Sequence, residues 1–171
     1  MKKTRYITFC AVMSALSVVL LLLGNLLSIF DITAVILTSL VILIAREELG
    51  YKSLAIYAVT ALICILTMTV SPVTYEYLII SAYPVFKPLI DKQPSSVKWM
   101  VKVVYILFSA LCLLLIVKIL TPDSPVGWDI VLGVGFALIF FLYDVLLYKF
   151  MMYYRFKLRH QLRIDKFFNQ K

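Results

Sequence analysis

Long apolar runs separated by short polar clusters organise the chain from end to end. A helix needs about 20 apolar residues to cross a bilayer, within a range of about 17–25. The first run, Tyr6–Leu27, carries no charge, and Gly24, Asn25, Ser28 and Asp31 mark a turn after it. Ser28–Ala45 follows and closes on Arg46-Glu47-Glu48. Ser53–Val70 comes after Gly50-Tyr51-Lys52 and ends before Ser71-Pro72. Val73–Ile90 closes on a polar stretch from Asp91 to Ser96, and Trp99–Leu120 on a Pro-containing loop at 121–125. The last run is Trp128–Met152. The pattern predicts an all-α polytopic membrane protein, one membrane domain over 1–171. Its six transmembrane helices fall at about 6–27, 28–45, 53–70, 73–90, 99–120 and 128–152. The fourth is the least regular: Glu76 and Lys87 bracket ten uncharged residues, and Pro84 falls among them.

Charge sharpens that layout. Lys and Arg number 17 against 9 Asp and Glu, a formal net charge of +8. With six spans, every basic residue except Lys118 gathers on the side of the N-terminus, the 2–3 and 4–5 loops and the C-terminus. Removing the fourth span would send the C-terminal basic residues to the other side. Basic residues mark the cytoplasmic face, so six helices with both termini cytoplasmic is the expected topology. Lys2, Lys3 and Arg5 before an apolar run also resemble the start of a signal peptide. The run is longer than such a region and lacks a small-residue cleavage site, so it is expected to stay as the first helix. The segment 153–171 alternates basic residues with Phe, Leu and Ile and contains no Pro or Gly. It is expected to extend the last helix along anionic headgroups, with protein docking as the other option.

Composition agrees: 63% of residues are hydrophobic and 15% charged, with a mean hydropathy of +1.00. Soluble domains average about 45–50% apolar and about 25% charged residues. The basic balance is therefore assigned to the membrane and not to nucleic acid. No GxSxG, HExxH or P-loop pattern is present, and the only histidine, His160, lies in the basic tail. Cys10, Cys64 and Cys112 each sit inside an apolar run, without CxxC spacing. No metal, cofactor or enzymatic activity is expected. The first helix carries small residues at Thr4, Thr8, Ala11 and Ala15, an AxxxA pattern at Ala11–Ala15, and further small side chains at Ser14 and Ser17. Small residues one turn apart let two helices approach closely in lipid, either inside one bundle or against a partner.

The first helix, KKTRYITFCAVMSALSVVLLLLG, resembles that of the S component of energy-coupling factor (ECF) transporters, with Ala11 and Ala15 in the motif positions. The number of helices and the chain length are similar to that family, and Tyr83-Pro84-Val85-Phe86-Lys87 resembles a segment of small S-component-like proteins of Gram-positive bacteria. The resemblance implies a substrate-binding subunit of a micronutrient importer in the bacterial cytoplasmic membrane. It implies docking through Thr8, Ala11, Ser14 and Ala15 on a transmembrane coupling subunit that works with two ATPase subunits. The six-helix class also resembles cell-shape proteins, which makes a non-transporting scaffold in envelope biogenesis the alternative.

An ionisable group in lipid costs about 2.5–3.5 kcal/mol on insertion scales and normally has a partner or lines a cavity. Lys102 and Asp144 fall at similar depths on adjacent helices, so they are expected to form an intramembrane ion pair, with Lys87 as a second possible partner for Asp144. At the outer ends of the helices, Asp31, Tyr75, Glu76, Tyr77, Trp128 and Asp129 share a level with Asn25. Carboxylates with almost no basic counterweight, among aromatic faces, predict a site for a small neutral or cationic organic ligand. The aromatic residues alone would also suit an interfacial belt.

Overall fold

The computed structural model describes residues 3–27, 31–68, 71–120 and 126–159. Among the described residues seven α-helices follow one another: α1 (Lys3–Leu27), α2 (Asp31–Leu49), α3 (Ser53–Thr67), α4 (Pro72–Ile80), α5 (Tyr83–Ile90), α6 (Ser95–Leu120) and α7 (Val126–Tyr153). A 3-10 turn, Gly50–Lys52, separates α2 from α3, and a π-helical turn, Tyr154–Leu158, ends the described chain. No strand occurs among the described residues. Among the described residues, four segments are long and apolar enough to cross a membrane, as a multi-pass membrane protein requires: Tyr6–Leu27, Asp31–Thr67, Ser95–Ile116 and Gly133–Leu158.

The 37 residues Asp31–Thr67 are not one rod. Gly50 has φ +62°, a conformation that glycine adopts without steric cost, and the chain reverses there. Lys52 sits over the Tyr6 ring at the start of α1, while Ser71, just past α3, bonds to Asn25 near its end. α3 therefore runs beside α1 in the same direction, and α2 runs between them in the opposite one. The end of the bundle with Tyr6 and Lys52 is called basal below, and the end with Asn25 and Ser71 distal. Tyr154 and Arg155 bond to Glu48 and Glu47 at the foot of α2, so α7 ends basally. Lys98 reaches Asp91 at the foot of α5, so α6 starts there.

Lipid-facing and core-facing residues separate clearly on α6. Met100, Val104, Leu107, Phe108, Leu111 and Leu115 form an exposed apolar stripe at helical spacing. Lys102 and Ser109 are buried on the other face. A water-soluble helix shows the reverse arrangement; here the apolar exterior suits lipid. The core itself is aromatic: Tyr83, Tyr105, Phe136, Phe140 and Tyr143 pack with ring centroids 5.0–6.2 Å apart.

The largest departure from the sequence reading is the expected single helix 73–90. It is two short helices, α4 and α5, broken at Ser81–Ala82. Pro84 has no N–H to give to the carbonyl of Ile80, which interrupts the helical ladder. Hydroxyls from three other helices reach the carbonyls at that break. Tyr57 of α3 donates to Leu78 O at 2.7 Å, Tyr105 of α6 to Ile79 O at 2.6 Å, and Tyr143 of α7 to Ile80 O at 3.4 Å. Ser81 is fully buried and bonds to Ser39 of α2 at 2.9 Å. Other boundaries shift less. α2 runs on through Arg46-Glu47-Glu48 to Leu49, and α6 begins at Ser95.

Candidate functional site

The break between α4 and α5 positions the charged centre of the bundle. Tyr83 opens α5 and Lys87 follows one turn later, so both face the same side. Asp144 of α7 receives both: Tyr83 Oη donates to Oδ1 at 2.7 Å, and Lys87 Nζ donates to the same oxygen. Lys102 of α6 binds the other oxygen, Oδ2, at 2.5 Å. The structure thus brings Lys102 and the expected second partner Lys87 to Asp144 and adds Tyr83, so one carboxylate holds two lysines. The lysines are 4% and 9% exposed, which leaves little water to compensate them. Lys87 also lies 4.0 Å from Asp91, and Asp91 lies 2.8 Å from Lys98. Tyr83 was quoted in the sequence only within a resembling segment. Its role needed the fold, because Tyr83 and Asp144 are 61 positions apart.

The distal groups are only partly assembled. Asn25 Oδ1 accepts a 2.5 Å bond from Ser71, tying α1 to the start of α4. Asp31 begins α2, and Glu76 lies in α4. Each has one carboxylate oxygen buried without a hydrogen-bond partner among the described residues. Tyr75 is half-buried beside Glu76. Tyr77 differs from the expectation. It is 0% exposed, stacks on Tyr57 at 5.5 Å and donates to Tyr57 O at 3.2 Å. One residue along a helix turns the side chain by about 100°, so Glu76 and Tyr77 cannot share a face. Tyr77 is a core residue of the α3–α4 contact. Trp128 and Asp129 lie in the first turn of α7, and their side chains lie outside the described residues.

The small residues of α1 divide between two faces. Ser14 and Ser17 are buried, at 8% and 0% exposure, and point into the bundle with Leu21 and Gly24. Thr4, Thr8, Ala11 and Ala15 are exposed. Ser14 therefore leaves the expected docking set, because its side chain packs within this chain. Thr8 also returns its hydroxyl to Thr4 O at 3.0 Å, which hides its polarity from the surroundings. The Thr4–Thr8–Ala11–Ala15 stripe is thus small and nearly apolar, and it lies beside exposed Ile7, Val12 and Leu16.

The start of the basic tail is docked on the bundle. Arg155 makes two bonds to the Glu47 carboxylate, at 2.6 and 2.9 Å, and Arg159 lies 3.1 Å from Glu48. The rest of the segment, 160–171, lies outside the described residues. No group of three or more metal-binding side chains occurs among the described residues. The chain has no match among family models, curated proteins or solved structures.

Proposed function

We propose that the protein crosses the membrane six times with both termini in the cytoplasm and serves as the substrate-capturing subunit of an ECF-type importer. The alternating helix directions support six crossings, with α4 and α5 together making the fourth. The basal end holds Lys52, Lys87, Lys98 and Arg155, which suits a cytoplasmic face. On this topology a cysteine at Asp123 reacts with an impermeant thiol reagent from outside, and one at Ser95 does not.

The observation that carries the functional reading is the exposed Thr8–Ala11–Ala15 face of α1. Among the described residues nothing covers Ala11 or Ala15, and a helix of a coupling subunit can approach such a surface closely. Asp31 and Glu76, each with a carboxylate oxygen that has no hydrogen-bond partner among the described residues, support a distal site for a small neutral or cationic organic ligand. Co-purification tests the reading. The wild type brings down a transmembrane coupling subunit and two ATPase subunits, and Ala11→Leu/Ala15→Leu loses them while still folding. Recovery of envelope-biogenesis proteins without an ATPase would replace the importer with the scaffold. Glu76→Gln weakens ligand binding and leaves thermal stability near wild type; unchanged affinity would remove Glu76 from the site.

A further inference from the structure

Two adjoining cavities open at the basal end between α5, α6 and α7, far from the distal carboxylates. The larger, of about 550 Å³, is lined by Lys87, Lys92, Lys98 and Arg155 with one acid, Asp91. The smaller, of about 300 Å³, shares Lys87, Asp91 and Lys98 and adds Lys102 and Asp144. The charged groups form a chain: Lys102, Asp144, Lys87, Asp91, Lys98. Three lysines alternate with two aspartates, so the chain carries one positive charge too many. Arg155 is neutralised by Glu47, which leaves the exposed Lys92 as a further cation at the larger cavity. Excess charge in a partly desolvated space is costly, and an anion in the cavity relieves it. Ser95 opens α6 and lines the smaller cavity, so the positive end of that helix dipole faces the same space.

The walls indicate what the anion is attached to. Met152 and Phe156 line the larger cavity, Trp99 and Tyr148 the smaller one, and all four are exposed on the outside of the bundle. A phosphate among the lysines would have an apolar path leading from it along the lipid-facing surface of α6 and α7. We propose that these cavities hold the phosphodiester headgroup of an anionic membrane lipid from the basal leaflet. This site does not depend on transport, and it is distinct from general attraction of the C-terminal tail to the membrane surface.

Trp99 reports on the site directly. The chain has two tryptophans, so Trp128→Phe leaves Trp99 as the only one. The full-length protein in non-ionic detergent is titrated with brominated phosphatidylglycerol, which quenches indole fluorescence on contact, and with brominated phosphatidylcholine. Phosphatidylglycerol saturates the quenching at a concentration about tenfold lower or better, and excess glycerol phosphate does not displace it. In that background Lys92→Gln/Lys98→Gln raises the half-saturating concentration about tenfold. Lys52→Gln/Lys149→Gln, which removes two exposed charges that line neither cavity, stays within about twofold. Equal quenching by the two lipids overturns the proposal without any lysine variant. Equal shifts in the two double variants reduce the effect to a diffuse field and overturn the site. Displacement by glycerol phosphate identifies a soluble anion site in place of a lipid site.

Discussion

α1 runs for 25 residues without interruption, whereas α4 and α5 cover 9 and 8 residues on either side of a break. Both passes traverse the same bundle. In α1 the backbone N–H groups past the first turn find carbonyls within the helix, so its side chains are free to divide between core and exterior. The α4–α5 pass cannot satisfy itself, because Pro84 and Pro88 remove donors. In an apolar surrounding a carbonyl left without a donor is costly, and water is not available to repair it. Tyr143 of α7 donates to Ile80 O, the carbonyl that Pro84 leaves without a donor, and Tyr57 and Tyr105 donate from α3 and α6 to the neighbouring Leu78 O and Ile79 O. The self-sufficient helix can therefore offer a surface outward, and the broken one is held inward from every side. The charged centre follows from the second condition, since Tyr83 and Lys87 sit just past the break.

The sharpest way to break this comparison is at the charge that the broken pass serves. Asp144→Asn takes the counter-charge from buried Lys102 and leaves buried Lys87 with only Asp91, 4.0 Å away. Removing one partner of a buried pair costs about 3–5 kcal/mol, so thermal unfolding in detergent should fall steeply. Adding Lys87→Met and Lys102→Met to Asp144→Asn should recover much of the loss. A single variant as stable as the wild type would mean that the lysines reach water.

The two faces of α1 give the next largest contrast. Ser17→Leu forces a large side chain into a fully buried position, and overpacking of this kind costs about 1–3 kcal/mol. Ala15→Leu, on the exposed face, should stay within about 0.5 kcal/mol of the wild type. Equal losses at the two positions would place both residues in the core and remove the docking surface.

Smaller effects are expected at the break. Tyr57→Phe and Tyr105→Phe each remove one hydroxyl from a carbonyl, worth about 1 kcal/mol in a membrane bundle. Tyr143→Phe should cost less, because its bond is 3.4 Å long. Hydrogen exchange at the amides flanking Ser81 should rise in the first two variants. Exchange that rises equally at mid-α1 would show a general loosening, and the break would then be no special point.

The membrane class could be read from the sequence because it rests on run length and composition, which need no partner. Runs such as Tyr6–Leu27 announce lipid-crossing helices one at a time. Lys102 and Asp144 could be paired by depth alone, since the rise per residue places each along its own helix. Rotation about each helix axis is a different matter, and only packing decides it. The sequence grouped Tyr77 with Glu76 by level, and packing sent Tyr77 into the core against Tyr57. It grouped Ser14 with Ala11 and Ala15 by size, and packing put Ser14 inside and the alanines outside. Lys87 was also legible by depth, whereas Tyr83 reaches Asp144 because it opens α5 just past the break at Ser81–Ala82. Pro84 interrupts the ladder locally, but the hydroxyls that bond the carbonyls at the break come from α3, α6 and α7, donors that the local sequence does not contain.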